Sequence, residues 1–375
     1  MDDLDNAGGN IVPPSLEQLK DKAREAADKT CVALLPVSRL VFDDPFQVGS
    51  FQFYPPGAID LAALRPVANA QLTDVLCGSQ LTPLFGQRLR EVQSGSTGFD
   101  LAVLDSTPTI AFVADLNWDS FHDWSHGDDI SFIKQLVSKA ERALDIIRFE
   151  YCRFDRPDTL PGSAGSWRES GEWLGAMLYS VADHESYLIA GAAVESSSIV
   201  RGLGLQLSDG PRTPLPEATE GGVAAIAAHG LTLYSEVMNA GSETMKFTRA
   251  MTLLEFLANP YTYTSWKDLK GDIACHVAKS KTEYHDLTHR LRQLSSDIDA
   301  GRQMGIRTLI VHHGKLLPEV LSGAAQRADL FRELQRYAGK MLDDMTRHRS
   351  LTWAQYCSRR VALKQSLGVG TVTPV

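Results

Sequence analysis

Ser208-Asp209-Gly210-Pro211-Arg212-Thr213-Pro214-Leu215-Pro216-Glu217-Ala218-Thr219-Glu220-Gly221-Gly222 packs three prolines and three glycines into fifteen residues. Proline removes a backbone donor and fixes φ, and glycine leaves the chain conformationally loose, so neither a helix nor a strand is expected to cross this stretch. The hydrophobic period differs on its two sides. That difference sets the fold class.

Upstream, short apolar runs are bounded by Pro, Gly, Asp and Ser: Val32-Ala33-Leu34-Leu35, Phe51-Gln52-Phe53-Tyr54, Asp100-Leu101-Ala102-Val103-Leu104 and Thr109-Ile110-Ala111-Phe112-Val113. They read as strands, the last two as a hairpin joined by Asp105-Ser106-Thr107-Pro108. Leu174 to Tyr179, Ser186 to Ala190 and Ile199 to Leu207 read the same way. Helical period interrupts them over residues 129–151, where apolar positions recur from Ile130 to Phe149 behind Asp128 and Asp129, which suit the positive end of a helix dipole. Ser15-Leu16-Glu17-Gln18 resembles a capping box opening a short polar helix to about Lys29.

Downstream, nearly everything has helical period. Val223 to Met238, Glu243 to Leu257 (with Phe247, Met251, Leu254 and Leu257 inward), Ser280 to Leu294 and Ala324 to Arg347 each make a helix. The predicted fold class is α+β: a mixed N-terminal domain with antiparallel strands, then an all-α bundle. The divisions are a disordered segment at residues 1–14, an α+β sensing or regulatory domain at 15–210, a linker at 211–222 and a helical domain at 223–375.

Composition narrows the class. With 375 residues, two domains are expected, and 43% hydrophobic with 22% charged residues is ordinary for a globular chain. Five scattered cysteines (Cys31, Cys77, Cys152, Cys275, Cys357) offer no CxxC spacing and no disulfide framework, which points to a reducing cytoplasm. The acidic start lacks a signal-peptide pattern, and no apolar run approaches the roughly 20 residues of a membrane span. The net charge of −9 is unevenly placed: residues 241–375 hold 20 Lys and Arg against 13 Asp and Glu, or +7, leaving −16 for the rest. A basic C-terminal module attached to an acidic one suits a phosphate-bearing partner for the former.

Within that basic third lies Gly305-Ile306-Arg307-Thr308-Leu309-Ile310-Val311-His312-His313-Gly314. Four residues stand between Arg307 and His312, and Gly314 supplies a helix stop. The string resembles the signature of HEPN domains, in which an arginine precedes a histidine by four to six intervening residues. The resemblance is closest to the ApeA-like HEPN group, with Thr308 where that group usually has serine, and it covers about the last 150 residues, the size of one helical domain.

The resemblance implies a metal-independent endoribonuclease that needs no cofactor. RNA carries its own nucleophile, the 2′-hydroxyl; histidine moves protons near neutral pH, and arginine stabilises charge on the phosphate. Arg307 and His312 are the implied catalytic residues and a 2′,3′-cyclic phosphate the implied product. His313 also satisfies the spacing and is a substrate contact. Five helical steps turn about 140°, so the pair does not share one face of a straight helix; HEPN proteins place the motif near a helix end and pair two copies, so the resemblance implies a homodimer. Glu255, in an apolar helix, is the expected partner of Arg307, with Thr308 in support. Arg290, Arg292, Arg302 and Lys315 are expected to contact RNA, and the basic series Arg327, Arg332, Arg336, Lys340, Arg347 and Arg349 offers further phosphate contacts. Proteins of this kind act as toxins or antiviral defence effectors, so a regulatory or antitoxin partner protein is expected, and no membrane. The alternative is an inactive HEPN-like scaffold that binds RNA or protein.

Other constellations carry less. His285 and His289 share a helix face in zinc-compatible spacing, but no third ligand is signposted. The His122 and His126 segment reads as a loop docking Trp118 and Trp124. No GxxxxGK[ST] loop exists, Gly202-Leu203-Gly204-Leu205 lacks a nucleotide-loop context, and Ser196–Ser198 lack a nucleophile elbow, so ATP, GTP and serine-hydrolase chemistry are not expected.

Overall fold

The computed structural model describes residues 15–64, 99, 101–156, 159–167, 173–192, 204–217, 222–295 and 304–369. The expectations at residues 1–14, Cys77, 196–203, 218–221 and Arg302 lie outside them. The chain is α+β and divides into two units, Met1–Leu144 with Asp158–Arg212 and Asp145–Pro157 with Thr213–Val375. Among the described residues no helix is long and apolar enough to cross a membrane.

The first unit is built on an antiparallel sheet of β1 (Thr30–Pro36), β3 (Phe46–Val48), β4 (Phe51–Tyr54), β5 (Thr109–Asp115), β6 (Trp173–Ser180) and β7 (Glu185–Ala192), in the order β3-β4-β5-β1-β6-β7. A separate parallel pair joins β2 (Leu40–Val41) to β8 (Leu205–Gln206). β1 is central, with Val32 opposite Val113 on β5 and Tyr179 on β6. It is buried on both faces from Cys31 to Pro36, which explains why its sequence is a continuous apolar run rather than an alternation. Helix α1 (Leu16–Arg24) covers the Val32 and Leu34 face through Leu19 and Ala23. It ends at Arg24, short of Lys29, where the Thr30 hydroxyl donates to the Ala23 and Ala26 carbonyls at 3.0 Å each.

One expected strand is a helix. Residues Leu101–Ser106 form α2, so there is no hairpin with β5. Leu101 and Leu104 bury one side at helical spacing, the Ser106 hydroxyl returns to the Ala102 carbonyl at 2.7 Å, and Pro108 stops the turn. A four-residue apolar run does not separate strand from helix by period alone. After α3 (Trp118–Phe121) comes α4 (His126–Tyr151), 26 residues long.

The end of α4 and the residues after it belong with the helical unit. Buried Asp145 pairs with Arg148 at 3.1 Å and accepts from the Thr232 hydroxyl at 2.9 Å. Lys246 donates to the Phe154 carbonyl at 2.8 Å, and the Gln335 amide donates to the Cys152 carbonyl at 2.8 Å. The other helices are α5 (Gly222–Met238), α6 (Glu243–Ala258), α7 (Trp266–Val277), α8 (Lys281–Ser295), α9 (Ile306–Val311), α10 (Leu317–Val320), α11 (Ala324–Arg347) and α12 (Trp353–Ser366). α11 packs against α5, α6 and α7. Its buried stripe of Leu330, Leu334, Tyr337, Met341 and Met345 follows the spacing read from sequence.

Candidate active site

α6 is set by Ser242, whose side chain accepts from the Met245 N–H at 3.2 Å, and by Phe247, Met251, Leu254 and Leu257, all buried. With that stripe fixed inward, Glu255 falls on the half-exposed flank of the helix. α9 packs against α6, α8 and α10. Arg307 sits in its first turn, and its Nη2 lies 3.1 Å from Glu255 Oε1. The two side chains are 28% and 29% exposed. Water reaches the pair, so its net worth is modest, but its geometry is defined.

The indole of Trp266, at the first position of α7, donates through Nε1 to the same Oε1. One carboxylate oxygen thus accepts the indole hydrogen bond and faces the guanidinium as an ion pair. Trp266 is absent from the sequence reading. A signal was available: Ser265-Trp266-Lys267-Asp268 has helix-start spacing, and the Ser265 hydroxyl donates to Asp268 at 2.8 Å.

The far end of α9 is where the imidazoles stand. His312 is the C-cap residue, its N–H bonded to the Thr308 carbonyl at 3.0 Å. Gly314 then adopts φ +66°, reversing the chain so that the Lys315 N–H reaches the Leu309 carbonyl at 3.2 Å. His312, His313 and Lys315 are exposed, and among the described residues neither imidazole has a side-chain hydrogen bond or ion pair. The Thr308 hydroxyl donates to the Ser295 carbonyl at 3.3 Å, tying α9 to the end of α8.

The basic residues divide by role. Arg290 forms a fork with Glu333 on α11, Nε to Oε1 at 3.0 Å and Nη2 to Oε2 at 2.8 Å. Those bonds raise its pKa further and brace α8 against α11. Arg292 is exposed on α8. Burial and then the positive charges of Arg292 and Lys267 lower the pKa of Lys270, so three cations cluster across α7 and α8. Lys267 and Lys270 did not stand out in the sequence, because their neighbourhood with Arg292 is tertiary. Arg327 pairs with Glu243 at 2.6 Å and Arg347 with Asp343 at 3.0 Å, so these members of the basic series are already engaged.

His285 and His289 lie exposed on α8, His289 Nε2 3.2 Å from the Gln293 amide. Among the described residues no cluster of three or more His, Cys, Asp or Glu side chains is arranged to hold a metal. In the other candidate loop, Trp118 is buried, its indole donating to the Thr30 carbonyl at 2.8 Å, and it packs edge-on against Phe121. The Cys31, Cys152 and Cys275 thiols are buried, and burial pushes their pKa up, to about 11 for Cys152 and Cys275. None has the lowered pKa of a nucleophilic cysteine.

The arrangement offers an oriented guanidinium and an open imidazole at two ends of one short helix. No family model, no curated protein and no solved structure matches the chain.

Proposed function

We propose that the chain is a metal-independent endoribonuclease. In the reaction, the ribose 2′-oxygen loses its proton and attacks the adjacent phosphorus. The bond to the 5′-oxygen breaks, and that oxygen takes up a proton, leaving a 2′,3′-cyclic phosphate and a free 5′-hydroxyl. Arg307 stabilises the extra charge on the phosphate oxygens through its fork, and His312 carries a proton. The step needs a base and an acid. A second copy supplying a second His312 would complete the pair, and the exposed apolar side chains of Val311 and Leu316 beside the motif favour such an assembly.

The observation that carries this reading is the Arg307–Glu255 pair, half-open to water, on a helix whose C-cap is the exposed His312. A guanidinium held by one carboxylate oxygen keeps N–H groups for a phosphate. The function would be that of a cytoplasmic toxin or antiviral effector, restrained or triggered through the acidic N-terminal unit or a partner protein.

An inactive scaffold is favoured by one specific feature, that both Arg307 and Arg290 already have carboxylate partners. The two readings separate by cleavage of end-labelled RNA in chelator by the full chain and its His312→Ala form. Loss of a proton carrier lowers the rate roughly 10²- to 10⁴-fold. Undiminished cutting by His312→Ala would remove the assignment, and cutting that chelator abolishes would point instead to metal chemistry.

A further inference from the structure

Glu255 faces a second feature besides Arg307. It lines a cleft of about 330 Å³ in the helical unit, at the small end of the range that ligand sites occupy. Thr252, Glu255, Phe256 and Asn259, spaced three, four and seven residues from the first, form one wall from a single face of α6 and the residue after it. The chain from Asn259 to Thr264 forms the other.

This wall is held in shape. Arg360, only 3% exposed, donates to the Leu257 and Ala258 carbonyls at 2.6 Å each, fixing where α6 ends. The Asn259 amide donates to the Thr262 and Thr264 hydroxyl oxygens at 2.9 and 2.6 Å. Tyr261 sets its ring edge-on to Trp353, with centroids 5.9 Å apart. Tyr263 is left with its ring in water, 97% exposed, beside Tyr261 at 63%. The fold gains nothing from that placement.

The lining suits a flat ring with polar edges. Glu255 Oε1 accepts from Trp266 and forms the ion pair with Arg307, while Oε2 has no hydrogen-bond partner among the described residues and remains an acceptor. Every nucleobase presents an N–H on its pairing edge and a π-face, and single-stranded RNA leaves both accessible.

We propose that this cleft is a nucleobase subsite: one unpaired base of single-stranded RNA stacks on Tyr263 and enters beside Glu255, next to the phosphate held at Arg307. The inference rests on the endoribonuclease reading. It supplies what that site lacks, a reason for the enzyme to take single strands and to place one phosphate at Arg307, since the same carboxylate borders the base and orients the guanidinium.

The test is binding of a fluorescent single-stranded RNA 12-mer, in chelator, to the full chain carrying His312→Ala, alone and with Tyr263→Ala, followed by cleavage with wild type and Tyr263→Ala. Tyr263 is so exposed that its truncation leaves the fold intact. Base–aromatic stacking predicts a roughly 5- to 150-fold loss of affinity, restored by Tyr263→Trp, and no further loss when the RNA is fully abasic. In cleavage, KM should rise by a similar factor. Unchanged affinity and KM in Tyr263→Ala, with wild type still cutting, overturns the subsite and leaves the nuclease standing. Tyr263-dependent binding without cleavage by wild type supports the subsite and overturns the nuclease. No binding of RNA by any form overturns the subsite as well.

Discussion

The Arg307–Glu255 pair allows stability and chemistry to be separated. Two unit charges 3.1 Å apart attract by about 1.3 kcal/mol in bulk water and about 5 kcal/mol at an effective dielectric near 20. Each side chain is more than a quarter exposed, so desolvation, side-chain entropy and screening reduce the net to about 1 kcal/mol. Glu255→Gln removes the charge and keeps an oxygen for the Trp266 indole. It should therefore cost the helical unit about that 1 kcal/mol in urea, while reducing cleavage roughly tenfold through loss of Arg307 orientation. Arg307→Ala should cost no more stability, yet lower single-turnover cleavage of end-labelled RNA by about 10²- to 10³-fold, the usual effect of removing a group aimed at developing charge. Arg307→Lys keeps the charge without the fork and should fall between. The double variant should be slowed by less than the two single effects combined, because Glu255 acts in part through the arginine. If Arg307→Ala cuts RNA at the wild-type rate, or if the activity lost merely tracks a loss of fold, the catalytic role of the guanidinium is refuted.

Two further perturbations probe the framework. Gly314→Ala places a side chain at φ +66°, a conformation costing about 1–2 kcal/mol for L-residues; hydrogen exchange at the Lys315 amide should rise by roughly the corresponding 5- to 30-fold. Unchanged exchange would show that the reversal after α9 does not depend on glycine. Acid should loosen the seat of α12. His276 Nε2 accepts from Arg360 Nε at 3.1 Å, so its proton is on Nδ1, 3.4 Å from Asp344, and burial lowers its pKa. A cationic group with a depressed folded pKa contributes stability that is present above its unfolded value near 6.5 and lost as pH falls through the folded one. Asp344 titrates only in stronger acid: burial raises its pKa, but the nearby His276 and the hydrogen bonds from Arg359 and Tyr356 outweigh burial and hold it well below the usual carboxylate range. Exchange protection across Trp353–Ser366, corrected for intrinsic rates, should therefore fall between pH 7.5 and 5.5 in wild type. It should stay level in His276→Gln. Equal pH dependence in both would clear His276 of the role.

What the sequence disclosed depended on how local the cause was. α11 was legible because its buried stripe, from Leu330 to Met345, repeats over about four turns. Glu255 could be singled out because a carboxylate among leucines needs a cation. Residues 101–106 misled because four apolar residues fit two periods, and only the neighbours they bury decide between them. α7 and α12 went unread although each has a helix-start pattern, Ser265 to Asp268 and Thr352 to Gln355. The Arg360 clamp was beyond any local reading. Its partners Leu257, Ala258 and His276 are at least 84 residues away in the chain.

The way α9 is held argues that its orientation, more than its burial, is what the fold maintains. Six residues are far too few to sustain a helix on their own, and α9 buries only Ile310. Apolar packing therefore contributes little. Polar ties replace it: Arg307 to Glu255 on α6, Thr308 to Ser295 on α8, the backbone return from Lys315 to Leu309, and the Leu317 N–H to the Thr244 hydroxyl at 2.9 Å. Each tie is weak in water and individually worth about 1 kcal/mol or less. Together they fix direction, which a sliding hydrophobic contact does not. The side chains left over are the two imidazoles at the helix end. A segment serving only as filler would bury more and specify less; one that presents His312 at a set position from Arg307 needs this kind of support.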